Sequence, residues 1–490
     1  MMNGREKSDP VVVATKPANK AGRLAAEWVE PRAGTEGNAI RQSTHRTQMR
    51  ARVSQALERV RQAAKVRKKE RFTALLHHVN PDLLQLSFYA LKRNAAPGVD
   101  GVTWANYGQD LEENLQVLHR RVHSGAYRAS PSRRVYIPKA DGRQRPLGIA
   151  TLEDKIVQRA VIEVLNAIYE TDFLGFSYGF RPGRSPHDAL DAMSVGITQK
   201  KVKWVLDADL RDFFSTLDQT WLIKFLEHRI ADKRVLRLIR KWLSAGVIED
   251  GKWSETTEGS PQGASVSPLL ANVYLHYVFD RWVRQWRRRH AHGDMIVVRF
   301  ADDFVVGFGH HRDAVQFLSD LRERLAKFNL GLHPDKTRLI EFGRFAAPNR
   351  KARGVGKPET FDFLGFTHIC ARTRTGRFML KRITISKRMR AKLHEVKHQL
   401  HRGRHRSIPQ QGRWLASVVR GHLNYYAVPS NIKAVRAFRD QVIRHWIAAL
   451  RRRSQRHRLT WERMNRLVRR WLPTARIMHP WPAKRFYANT

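Results

Sequence analysis

Aspartates set among apolar and β-branched residues occur twice in this sequence, in WVLDADLRDFF (204–214) and in DMIVVRFADDFVVGF (294–308). Carboxylates on such a background can hold a hard divalent cation, because Mg²⁺ takes a few carboxylate oxygens and leaves its remaining places to water and phosphate. In the second stretch Met295–Phe300 and Phe304–Phe308 read as paired strands, which puts Asp302 and Asp303 at or near the tip of a tight hairpin. An aspartate in a turn is ordinary by itself. The first stretch gives the pair its meaning, since it reads as a second acidic strand with Asp207 and Asp209 at i and i+2, on one face. Only a sheet brings acids on separate strands together. Spacing does not choose between Asp207 and Asp209.

The surrounding pattern supplies that sheet and a helical frame. Val135–Ile137 and Leu147–Ile149 read as hairpin arms around Asp141-Gly142, from which Lys139, Arg143 and Arg145 project. A helix is predicted over Lys155–Glu170, with Ile156, Ala160, Val164 and Ile168 on one face. Ser185, Pro186 and Asp188 form a helix start. Helices fill Trp221–Leu243, and a Gly/Pro/Ser loop leads into an apolar helix within Gly259–Asp280. After the hairpin come a helix over Arg312–Asn329 and strands at Arg338–Phe342 and Phe361–Phe366. The last third is basic and helical, with stripes Met389, Leu393, Val396, Leu400 and Val435, Phe438, Val442, Trp446, Leu450; Trp461 and Trp471 are expected in its core. Residues 1–50 show no usable period and are expected to be disordered, or ordered only on RNA.

Composition narrows the function. The 490 residues hold 91 Lys+Arg against 44 Asp+Glu, a formal charge of +47 spread along the chain. Self-repulsion on that scale calls for a polyanionic partner, and nucleic acid is the obvious one. No apolar run approaches the ~18 residues of a spanning helix, so no membrane role is expected. The single cysteine, Cys370, excludes a disulfide framework and a multi-thiolate zinc site. The expected setting is the cytoplasm, on the nucleoid when DNA is bound.

The motifs APGVDG, IPKADGRQRPLGI, FSYGFRPGRSPHDAL, DADLRDFF, SPQGASVSPLLANVYL, FADD, LHPDKT, FDFLGF and RGHLNYYAVPS follow one another in an order that resembles the reverse transcriptases of bacterial group II introns, the intron maturases. The resemblance covers about residues 50–490. It implies an α+β right-hand polymerase. A basic extension (1–50) would precede fingers (51–195), a palm with an antiparallel sheet (196–366) and a helical thumb, or maturase X domain (367–490).

The resemblance also implies roles. The pattern acid-apolar-basic-x-aromatic-aromatic selects Asp209, which joins Asp302 and Asp303 as the catalytic carboxylates. With the backbone carbonyl of Leu210 they would bind two Mg²⁺ ions, Mn²⁺ being a substitute. Lys139 and Arg145 would face the triphosphate, Gln262 and Gly263 would line the nucleotide pocket, and Lys336 would lie near the triphosphate or primer end. Phe214 would stand under the sugar and exclude a 2′-hydroxyl; core packing is its plainer role. Arg451, Arg452, Arg453 and Arg456, just past an apolar stripe, are expected to reach RNA phosphates. Phe300 stands where Tyr is usual, Ser215 where many relatives have Asp, and Ala264-Ser265-Val266 varies a Gly-rich run. None of these touches the three carboxylates. With only Cys370 in the last third, no endonuclease domain is expected.

The expected function is therefore RNA-directed DNA synthesis joined to binding, splicing and retrohoming of a group II intron. Its partners would be intron RNA, an RNA template, a DNA primer or target and dNTPs. A splicing-only maturase, a reverse transcriptase recruited to phage defence or CRISPR spacer acquisition, and a viral RNA polymerase are the competing readings. The sequence leaves monomer or dimer open.

Overall fold

The computed structural model describes residues 13–14, 36–138, 144–249, 252–255, 259, 263–453 and 459–487. Lys139, Gln262, Arg456 and the Arg145 side chain lie outside this description.

Helices and mainly antiparallel sheets alternate in an α+β arrangement; one pair, Ser132–Pro138 with Val247–Glu249, is parallel. Its centre is a four-stranded sheet in the order Met295–Phe300, Asp303–Phe308, Trp204–Asp209, Arg338–Glu341, every neighbouring pair antiparallel. Because side chains alternate along a strand, the sheet has two unlike faces. Leu206, Ala208, Phe304, Val306 and Phe308 enter the larger core, shared with the helices Ser267–Leu275, Arg281–His290 and His311–Ala326. Val205, Ile296, Val298 and Val305 point the other way, onto the helix Pro186–Gln199 and a small sheet of Phe361–Phe363, Phe366–Arg372 and Phe378–Thr384. Each large apolar side chain so covered is worth about 1.5–3 kcal/mol relative to exposure, which is why an interior sheet tolerates so little polarity elsewhere.

Local signals agree with this frame. Thr151 caps the helix Leu152–Tyr169 by accepting from the Asp154 N–H, and Ser185 and Asp188 form a reciprocal capping box for Pro186–Gln199. The basic hairpin pairs Ser132–Pro138 with Gln144–Ile149 and is extended by Val247–Glu249 and Lys252–Ser254. A third core unites the helices Ser386–Arg402, Ile408–Tyr426, Ile432–Arg451 and Trp461–Trp471. Buried charge joins distant parts of the chain: fully buried Asp191 accepts from Arg382 Nη1 at 2.7 Å and forms a second ion pair with Arg485.

Three expectations are corrected. Residues 36–50 are helical, within Glu36–Val66, because Met49, Val53, Val60 and Ala64 make a narrow buried stripe and Arg46 lies over the Tyr89 ring at 4.7 Å. The spacing of Val53, Leu57, Val60 and Ala64 marks the later turns of this helix; before Val53 only Met49 is buried among the described side chains, so its first turns left no period to read. The stretch Phe361–Phe366 is not one strand; it reverses at Leu364-Gly365, both at positive φ. Trp461 is exposed at the start of its helix, whereas Trp471 seats on Gly412, where a Cβ would come within 2.5 Å of the indole. Among the described residues no helix is long and apolar enough to cross a membrane.

Candidate active site

Strand register brings the acids together. Asp209 lies directly opposite Asp303, and Asp303 directly opposite Phe300, so one row across three strands carries two carboxylates and an aromatic. Asp207 belongs to the next row on the same face, opposite Val305. Only Ala301 and Asp302 separate the hairpin strands, and Ala301 has φ 59°, a region usually left to glycine in two-residue turns. Asp302 thus sits in the turn itself, beside the row.

What fixes this turn lies on the opposite face of the strand. Arg299 is fully buried and binds Asp280 through Nε (2.7 Å) and Nη2 (2.6 Å). Its Nη1 donates to the Ala301 carbonyl (2.9 Å) and to Asn272 Oδ1 (3.1 Å), and Nη2 also reaches Ser177 Oγ (2.7 Å). Asn272 in turn donates to the Gly179 carbonyl at 2.7 Å. Gly179 lies under the turn so closely that a Cβ there would be 2.3 Å from the Ala301 nitrogen. Sequence reasoning missed this support. Its signal was an arginine inside an apolar strand, since a buried charge requires a built partner.

The end of the acidic strand is also held. The Asp209 carbonyl accepts from the His333 N–H (2.9 Å), and the Arg211 N–H donates to the Gly331 carbonyl (2.8 Å). That pairing brings the short turn Pro334–Lys336 alongside, and the Lys336 ammonium forms an ion pair with the Asp209 carboxylate. The Leu210 side chain is buried, and its residue bridges Leu332.

Crowding of like charge shapes the electrostatics. Burial pushes the Asp303 carboxyl well above the usual carboxylate range; Asp207, Asp209 and Asp302 push it further, against the pull of Lys336. Burial likewise raises Asp207 to about 7, with Arg338 (3.7 Å away) drawing it back and Asp362 and Asp209 adding to the rise. Both shifts describe a face where negative charge is costly until a cation neutralises it. Among the described residues no three His, Cys, Asp or Glu side chains form a ready-made metal cage. A hard cation that relies on two or three carboxylates plus water and phosphate does not need one, and the lysine on Asp209 stands where positive charge is called for.

The other sequence-derived residues are placed as follows. Phe214 is half-buried on the short helix Phe213–Thr216, packed against the larger core, with Gly259 close enough that a Cβ would be 2.6 Å from the Phe214 carbonyl oxygen. Gly263, at φ 109°, abuts the Gly148 carbonyl, where a Cβ would be 2.5 Å away; this packs the loop before Ser267–Leu275 onto the basic hairpin. Arg145 lies opposite Ile137 in that hairpin. In the helical module, Arg451 is exposed and donates to the Leu459 carbonyl (3.1 and 3.0 Å), and half-buried Arg453 donates to the Arg406 carbonyl. Two of the arginines expected to reach phosphates thus also bond to carbonyls of their own module, and Arg451 and Arg452 are both exposed.

Residues 137–368, just under half of the chain, match the family described as reverse transcriptase (RNA-dependent DNA polymerase). The chain is 38% identical over 240 residues to Protein YkfC of Escherichia coli (strain K12), covering 43% of this chain and 62% of that one. It is 34% identical over 235 residues to the group II intron-encoded protein LtrA of Lactococcus lactis subsp. cremoris, covering 48% and 39%. A third relative, the nuclear intron maturase 2, mitochondrial, of Arabidopsis thaliana, is 29% identical over 171 residues, covering 27% and 23%. The chain spans less than two thirds of the length of each of these relatives.

Proposed function

We propose, on the premise that the chain carries a reverse transcriptase domain of the group II intron type, that it is an RNA-directed DNA polymerase which binds its intron RNA, assists splicing and copies the RNA into DNA. The single observation that carries the reading is the row Asp209–Asp303 across two strands, with Asp302 in the adjoining turn. The two-faced sheet supports a palm within 196–366, the basic hairpin supports fingers before it, and the four-helix core supports a thumb or X module after it.

In this reading a primer 3′-hydroxyl attacks the α-phosphorus of a dNTP in line and pyrophosphate leaves. Asp209, Asp302, Asp303 and the Leu210 carbonyl would hold two Mg²⁺ ions, or Mn²⁺ in their place; the bound ions favour the ionised hydroxyl and neutralise the leaving oxygen. The residues of the chain do the rest. Burial and neighbouring like charge raise the Asp303 carboxyl, so a cation bound beside it would favour its ionised form. Lys336 holds Asp209 in position and remains beside the incoming phosphates. Lys139 and Arg145 from the hairpin neutralise the far side of the triphosphate. Gln262 and Gly263 floor the nucleotide pocket, and Phe214 meets the sugar.

Primer extension on an RNA template tests the reading. Asp209→Asn and Asp302→Asn should abolish extension while RNA binding is kept, because the carboxylates are lost and the basic surface is not. Extension that survives Asp209→Asn and is lost in Asp207→Asn would transfer the role to Asp207, and extension surviving every carboxylate variant would end the polymerase reading.

A further inference from the structure

Behind the central sheet, in the helical layer, lies a cleft of about 1090 Å³ that includes none of the four aspartates. Its position follows from strand alternation. Phe304, next to Asp303 and therefore on the opposite face, packs its ring on Phe279 at 4.6 Å; Phe308 packs edge-on against Trp286 at 6.4 Å. Phe279 and Trp286 belong to the two segments that wall the cleft, the π-helical turn His276–Asp280 and the helix Arg281–His290.

The charge in this cleft is one-sided. Eight lining residues are Lys or Arg, and Asp172 is the one acid among the described lining residues. Asp172 is already engaged by buried Arg229, whose Nε lies 2.9 Å from its carboxylate. Arg324 is also occupied: it donates to the Tyr277 (3.1 Å) and Val278 (3.0 Å) carbonyls, in the π turn where the usual helical bonding is interrupted. Lys68, Lys69, Arg281, Arg288 and Arg289 are exposed, Arg281 over the Tyr277 ring at 5.6 Å and Arg289 beside the Gln285 amide. They come from two segments far apart in sequence, so folding has gathered cations that repel one another.

Such a gathering raises the energy of the chain unless a polyanion spans it. One free phosphate would meet one or two of these heads; an extended backbone meets all of them. We propose that this cleft binds the phosphate backbone of an RNA strand, at a place separate from the polymerising site. The choice of RNA over DNA rests on the function proposed above. Guanidinium and ammonium groups contact phosphate without reading bases, so the site would take RNA irrespective of sequence and could hold an intron while the opposite face works on a primer.

The test uses the full chain and an in-vitro transcribed RNA hairpin with single-stranded arms, beside a DNA of the same sequence. Arg281→Gln, Arg288→Gln and Arg289→Gln are combined; a control combines Arg312→Gln, Arg322→Gln and Lys327→Gln, exposed and outside the cleft on and after the helix His311–Ala326. Three lost contacts at about 0.7 each should lower the slope of log K against log salt by roughly 2, with RNA affinity down about tenfold or more at physiological salt. The control should lose far less, and both variants should extend a short pre-annealed primer–template as the parent does. Equal losses in cleft and control variants, or an unchanged slope, would overturn the site; a greater loss for DNA than for RNA would overturn the ligand. Extension lost together with binding would overturn its separateness. A parent that extends nothing removes the polymerase reading alone, because the binding comparison does not depend on extension.

Discussion

Arg299 and Asp280 meet through two charge-assisted hydrogen bonds, 2.7 and 2.6 Å long, with both side chains out of solvent. The pair sits one face away from the carboxylate row and ties the hairpin strand to the helical layer. Removing one partner leaves a buried, uncompensated charge, which costs about 3–5 kcal/mol. Arg299→Met should therefore lower the unfolding free energy by about that much, and Arg299→Met with Asp280→Leu should regain a substantial part. Denaturant unfolding of the single and double variants checks this; simple additivity would show that the two side chains are not coupled.

Asp207 should make stability depend on pH in an unusual direction. Its carboxyl is raised from 3.8 to about 7 by burial, so the folded state prefers the protonated form. The stabilisation is full below about pH 4, declines as pH rises, and is gone above about pH 7. Asp207→Asn should consequently raise the melting temperature at pH 8, with the advantage shrinking as pH falls through that window. At roughly 1.4 kcal/mol per pH unit the difference is on the order of 4 kcal/mol. A pH-independent difference would exclude titration of Asp207 as the cause.

The tight seat of the turn gives a pair of opposite outcomes. Gly179→Ala places a methyl against backbone that cannot retreat, 2.3 Å from the Ala301 nitrogen. The displaced turn should reduce extension by about a hundredfold, the cost of misplacing a reacting group by an ångström. Ala301→Gly, at φ 59°, relieves a left-handed conformation and should keep extension within about threefold while holding or raising stability by up to about 1 kcal/mol. Single-nucleotide extension rates and thermal melts of both variants decide it.

Phe214→Val should admit ribonucleotides at least about tenfold better than the parent, with deoxynucleotide use retained. Tenfold corresponds to about 1.4 kcal/mol, a reasonable worth for one excluded hydroxyl. The ring is half-buried against the larger core, so a melt must accompany the kinetics. Unchanged sugar discrimination together with a lowered melting temperature would assign Phe214 to packing.

The parts of the fold legible in the sequence are those where pattern and local chemistry agree. The strands around Ala301-Asp302, the Ser185 cap and the two apolar stripes of the last third all appear where their periods put them. Spacing narrowed the upstream acid to two candidates on one face and the resemblance singled out Asp209; the cross-strand register lays Asp209 opposite Asp303 and Asp207 opposite Val305. What stayed hidden depends on partners distant in the chain. Arg299 is an isolated charge in a strand until Asp280, Asn272 and Ser177 are around it. Arg451 is one of many basic residues until the Leu459 carbonyl claims it. The helix from Glu36 is held by contacts rather than by its own composition, and no window of sequence contains those contacts.

The ion pairs of Asp191 have a consequence for how the chain is made. Asp191 lies on the helix that backs the carboxylate face, and its two cations, Arg382 and Arg485, leave the ribosome later. From Asp191 to Arg485 is 294 residues (485 − 191), about 15–60 s of synthesis at 5–20 residues per second. For that interval the helix Pro186–Gln199 carries a carboxylate that cannot yet be buried with both its partners. A nascent chain paused before Arg485 can therefore give Asp191 its Arg382 partner but not the second one.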